Sequence, residues 1–129
     1  MKRALLVLVS LAALGSAAGC ISERTAGPGP SLEGCNVDLP PEAFGSNIVV
    51  IRDFAFEPAQ VSVRQGSRVT WVNCGAPGTD AHTSTADAGQ WGSQLIAPGG
   101  TFTREFTAAG SFPYHCEPHP GMTGSVSVQ

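Results

Sequence analysis

Charge is scarce in this chain. Asp, Glu, Lys and Arg make up 13% of its 129 residues, against about 25% in an ordinary soluble domain. Lys2 is the only lysine, and after Arg3 the cations are five scattered arginines, at 24, 52, 64, 68 and 104. With a net charge of −3 and no basic run, the electrostatic footprint of a nucleic-acid binder is missing. Imidazole is rarer still, with only His82, His115 and His119. So small a set excludes enzymes built on clusters of many histidines. The length excludes two full cores. No window of a dozen residues keeps a 3.6-residue apolar period, and no internal repeat is visible. The apolar run at residues 4–14 is too short to cross a bilayer, which takes about 20 residues.

That run does have another meaning. Lys2 and Arg3 precede it, and the small residues Gly15, Ser16, Ala17, Ala18 and Gly19 lead from it to Cys20. A charged start, a short apolar stretch and a small-residue cleavage site are the marks of a secretory signal. A plain signal would be cut near Ala18 or Gly19. The preferred reading is a bacterial lipoprotein signal over residues 1–19, because Ala17-Ala18-Gly19-Cys20 resembles a lipobox, although Leu is commoner where Ala17 stands. Cys20 would then carry the membrane anchor, with two acyl chains sufficient for stable attachment. Residues 20–34, rich in Gly, Pro and Ser, read as a flexible tether. The folded domain is expected over residues 35–129, outside the cytoplasm, on the periplasmic side or the cell surface. Without Lys2 and Arg3, five Arg face ten acids, a charge of −5.

Within the domain the pattern is that of strands. Residues 48–51 are continuously β-branched. Phe54, Phe56, Val61 and Val63 alternate around Pro58, and Val69, Trp71 and Asn73 alternate again after Gly66. Phe102 and Phe106 share a face with Arg104 between them, whose head is expected in water at one end of the sandwich. Phe112, Tyr114 and Cys116 follow Gly110 on one face, and Val126 and Val128 close the chain. Short strands with frequent Gly and Pro, 16 and 10 residues, suggest an antiparallel sandwich. Trp91 is read as packing rather than chemistry.

The chemistry gathers near the C-terminus. Cys116, His119 and Met122 form C-x-x-H-x-x-M. A thiolate, an imidazole and a thioether within seven residues are soft donors, and a second imidazole would complete the set preferred by copper at a trigonal site with a weak axial Met. Structural zinc usually takes four strong ligands. His115 adjoins Cys116 on a strand, so their side chains should face opposite ways. That leaves His82 as the remote ligand.

On these residues the chain resembles the small blue-copper proteins of the plastocyanin, amicyanin and pseudoazurin group. The likeness runs over residues 47–129. It rests on Phe56-x-Pro58, Val69-Thr70-Trp71-Val72-Asn73, His82, Gly110-x-Phe112-x-Tyr114-x-Cys116 and a Cys-to-Met loop as short as in amicyanin. The resemblance implies an all-β, single-domain Greek-key β-sandwich with one copper ion at one end, held by His82, Cys116, His119 and Met122. It also implies that Asn73 ties the ligand loops together. The sequence departs from the group in its longer stretch from Asn73 to His82, which contains Cys74, and in the extension that contains Cys35.

With Cys20 lipidated, three cysteines remain in an oxidising compartment. Cys116 has the spacing of a metal ligand, so Cys35 and Cys74 are expected to pair, two free thiols being the alternative. The leading function is a membrane-anchored one-electron carrier and not an enzyme. It would be a monomer serving a redox partner such as a c-type cytochrome, a dehydrogenase or a terminal oxidase. Copper storage or delivery to an oxidase is the alternative. A multicopper oxidase would need further His, and a dinuclear copper site a second bridging Cys. Glu117 is expected to face solvent, and His115 is either an exposed strand residue or a lateral electron port.

Overall fold

Ile48, Val49, Val50 and Ile51 carry branched side chains that favour extended backbone. In the computed structural model, which describes residues 30–129, they form the body of β1 (Asn47–Arg52). Val49, Val50 and Ile51 have no solvent exposure, so this strand is covered on both faces. It pairs antiparallel with β2 (Ala55–Glu57) and parallel with β4 (Ser67–Asn73). Antiparallel β6 (Thr101–Phe106) completes a first sheet of order β2-β1-β4-β6. The second sheet, of order β3-β8-β7-β5, contains β3 (Gln60–Val63), β5 (Thr85–Ala86), β7 (Gly110–His115) and β8 (Thr123–Val128).

The expected β-sandwich is present, but its strands are not all antiparallel. The β1–β4 and β3–β8 pairs are parallel. Between β1 and β4 the chain leaves the first sheet to lay β3 in the second, and it returns running the same way as β1. An alternating apolar pattern has period 2 in either orientation and cannot distinguish them.

Trp71 on β4 lies at the centre of the core. Its ring centroid is 5.3 Å from that of Tyr114, 5.6 Å from Phe102 and 6.2 Å from Trp91. Trp91 is thus a core residue, its indole N–H donating to Ser84 Oγ at 3.1 Å. Arg104, between the two Phe, is only partly buried. Its guanidinium lies 4.9 Å from the centroid of the Trp91 ring and 5.5 Å from that of Phe106, with Nε buried. Cation–π attraction and stacking of its stem hold it against these rings, and the residue keeps partial access to water.

Phe54 corrects the strand reading. It belongs not to the alternating strand but to the two-residue turn between β1 and β2, where Asp53 and Phe54 take φ of 49° and 57°. Such primed turns match the twist of a hairpin and favour Asn-Gly. Each non-glycine residue placed there costs roughly 1–2 kcal/mol.

The extension before β1 is fastened covalently by a disulfide. Cys35 and Cys74 form a disulfide that closes a 39-residue separation. Just before it, Cys35 N–H donates to the Leu32 carbonyl, and Arg52 donates to the carbonyl of Glu33. A 3-10 turn, Pro41–Ala43, buries Ala43. Among the described residues no helix is long and apolar enough to cross a membrane. The expected signal segment, Cys20 and the tether up to residue 29 lie outside the described residues.

Candidate metal centre

The connection from β7 to β8 folds back on itself. Cys116 N–H donates to the Met122 carbonyl at 3.0 Å, His119 N–H to the Cys116 carbonyl at 3.2 Å, and Met122 N–H to the His119 carbonyl at 2.8 Å. These bonds close the seven-residue loop and bring the Cys116 and His119 side chains toward one point. Pro118 and Pro120 restrict the backbone on either side of His119. Cys116 is fully buried, Met122 is buried and His119 half-buried, while Glu117 is exposed as expected.

His82 reaches the same point from the connection between β4 and β5. It is buried and exchanges backbone hydrogen bonds with Ile96, at 3.1 and 2.7 Å. Asn73, at the end of β4, fixes the segment. Its Nδ2 donates to the carbonyls of Ile96 at 2.9 Å and Asp80 at 3.2 Å, and its Oδ1 accepts the N–H of Gly75. The disulfide follows immediately at Cys74.

The structure therefore brings His82, Cys116 and His119 together, with their donor atoms all within 4.8 Å of one another. Cys116 Sγ lies 3.6 Å from Nδ1 of each imidazole, and the two Nδ1 atoms are 3.2 Å apart. Burial holds the His82 imidazole below its ordinary range, and repulsion from His119 adds to this, while Asp80 opposes both. At neutral pH its ring is thus uncharged, with a lone pair available. His115 points away from this cluster, and its Nδ1 lies 2.6 Å from Asp87 Oδ1 at the surface.

Two participants are not apparent from the sequence. Thr83 donates its backbone N–H to Cys116 Sγ at 3.3 Å, and its hydroxyl accepts the N–H of Glu117 at 2.9 Å. Adjacency to His82 is the only clue to it, since an amide donor needs no particular side chain. The other is Phe54, whose ring meets both imidazoles edge-on, with centroids 5.6 Å from His82 and 4.9 Å from His119.

The donors themselves decide which metal suits. Two imidazole nitrogens and a buried sulfur converge on a point that Thr83 approaches only with an N–H, which stabilises a thiolate. Met122 is buried on the same loop. Soft donors of this kind, with a thioether as the weak fourth, fit copper. Known proteins agree. The family described as copper binding proteins, plastocyanin/azurin family, matches residues 43–129. Amicyanin of Paracoccus denitrificans is 32% identical over 89 residues, covering 67% of this chain and 68% of that protein. Chloroplast plastocyanin of Tetradesmus obliquus is 43% identical over 84 residues, covering 57% of this chain and 58% of that protein's length. Among solved structures, the Cu(I) form of an amicyanin variant superposes with a TM-score of 0.59 at 29% identity, covering 66% of this chain and 83% of that one. The chain belongs to the plastocyanin/azurin family of copper-binding proteins.

Proposed function

We propose that the protein is a one-electron carrier, not an enzyme, with copper held by His82, Cys116, His119 and Met122. The observation that carries this reading is the convergence of two imidazoles and a buried thiol on loops fixed to a packed sandwich. Bound there, copper supplies a Cu(I)/Cu(II) couple that takes up and releases one electron. The chain's part is to hold the donors still. Asn73, the Ile96 backbone and the Thr83 amide fix their positions from outside the donor set, an arrangement that orients ligands and tunes a metal site. Fixed donors also argue against ready release of the metal to another protein.

His119 is the proposed port for the electron. It is half-buried between Pro118 and Pro120, which are exposed, as is Gly121, and no side chain of residues 118–121 is charged. A small apolar rim permits close approach and quick release, as transient redox encounters require. Over residues 30–129, four Arg face nine acids, so a basic partner such as a c-type cytochrome would associate faster at low salt. Cys20 is proposed as the lipid anchor that keeps the carrier on an extracytoplasmic membrane face, and Cys20→Ala should abolish lipid labelling. To test the port, Pro120 or Gly121 is replaced by Glu and electron transfer to a cytochrome is timed. The expected result is slower transfer with an unchanged visible spectrum. An unchanged rate would move the port to His115.

A further inference from the structure

Phe54 combines three features that are each unfavourable or unusual. Its backbone is left-handed although it is bulky and not glycine, and so is that of Asp53 before it. The residue is 55% exposed. Yet its ring is not loose on the surface, because it packs perpendicular to both His82 and His119. The imidazoles are themselves 4.9 Å apart between centroids, so the three rings form a closed triangle with Phe54 on the outside. A left-handed conformation at a bulky residue is a marker of function when the surroundings enforce it. Glycine or asparagine would make the same turn with less strain and would leave no greasy side chain in water.

We infer that Phe54 is an aromatic shield over the metal centre, a positioning residue that packs the two imidazoles and keeps external ligands from the copper. The inference rests on the proposed copper site. Edge-to-face contacts favour the ring over the imidazoles. Its bulk occupies the approach between them that a small anion or a free imidazole would need. The turn bears the strain, and the benefit appears only at the site. Asp53, exposed beside it, would repel anions but not neutral molecules, so the steric effect of Phe54 is separable from charge.

The test compares wild type with Phe54→Gly, Phe54→Asn and Phe54→Trp. Gly and Asn both accept the turn's backbone, so failure of one to fold leaves the other. First, proton NMR of the copper-free proteins reads the ring C–H shifts of His82 and His119. These should move in the Gly and Asn variants, as the Phe ring current is lost. Second, the Cu(II)-loaded proteins are titrated with azide and with neutral imidazole while the visible spectrum is followed. Wild type and the Trp variant should resist both ligands. The Gly and Asn variants should bind them at concentrations at least about tenfold lower. Thermal unfolding of the copper-free Gly variant should occur no lower than in wild type, which separates a shield from a structural residue. Unmoved imidazole shifts, or equal resistance to both ligands in the Gly and Asn variants, would overturn the shield. A wild-type protein without a thiolate-to-copper band would instead count against the copper site, and the NMR comparison would still decide the contact.

Discussion

The two arms of the centre are built differently. The C-terminal arm supplies Cys116 and His119, with the proposed ligand Met122, from one loop, closed by its own backbone hydrogen bonds between two paired strands. The other arm supplies only His82. It is held by long-range ties: the disulfide to Cys35, the Asn73 side chain to the carbonyls of Asp80 and Ile96, and the backbone bridge to Ile96. A ligand far away in sequence needs scaffold from elsewhere, whereas neighbouring ligands need only a well-turned loop. Damage to the first arm should therefore abolish the centre, and damage to the second should loosen it.

The largest effect is expected at Cys116. Cys116→Ser removes the thiolate, so copper-loaded protein should lose its intense visible band entirely. Far-ultraviolet circular dichroism should still report a folded sandwich, since the change is close to isosteric. Next comes the disulfide. Replacing both Cys35 and Cys74 with Ser opens a loop of about forty residues and should lower unfolding free energy by roughly 4 kcal/mol in the chain-entropy model. Denaturant titration measures it, and the colour should survive because the C-terminal arm is untouched. A loss of colour would show that the two arms are not separable. In the intact protein, thiol counting after copper removal from a form starting beyond Cys20 should find one free thiol.

Asn73→Ala should cost about 2 kcal/mol, because the Asp80 carbonyl loses its amide donor and the buried Ile96 carbonyl keeps only the His82 N–H. Copper affinity should fall with it, through His82. The smallest effect concerns Tyr114, two residues before Cys116 on β7. Burial raises its phenol to about 12 from the ordinary 10, opposed by the nearby Trp71 indole, which is not aligned for a hydrogen bond. The folded state therefore holds this proton where the unfolded chain releases it. Stability is intact below pH 10 and declines between about 10 and 12, by about 1 kcal/mol at pH 11. Tyr114→Phe should remove that part of the alkaline loss, measured by denaturant unfolding at pH 8 and 11.

The same contrast between arms explains how much can be read from the sequence. Cys116, His119 and Met122 are legible because their donors recur every third residue in a single loop. His82 is legible only by elimination among three imidazoles. The sandwich is legible from the β-branched and alternating runs of β1, β4 and β7, but the parallel pairing of β1 with β4 is not, because the period is the same either way. Phe54 is hidden because it alternates with Phe56 and lacks the glycine that usually marks a left-handed turn. The cation–π contact of Arg104 with Trp91 is not legible either, because a charged residue between Phe102 and Phe106 says nothing about which ring it meets. The Thr83 amide carries no side-chain signature at all.

The central claim is that Cys116 and two imidazoles hold one copper ion as a blue centre. The visible absorption spectrum of the purified protein loaded with Cu(II) tests it most directly. An intense blue band from thiolate-to-copper charge transfer, lost on reduction and absent in Cys116→Ser, is the predicted result. A copper-loaded wild type that is colourless, or no bluer than Cys116→Ser, would contradict it.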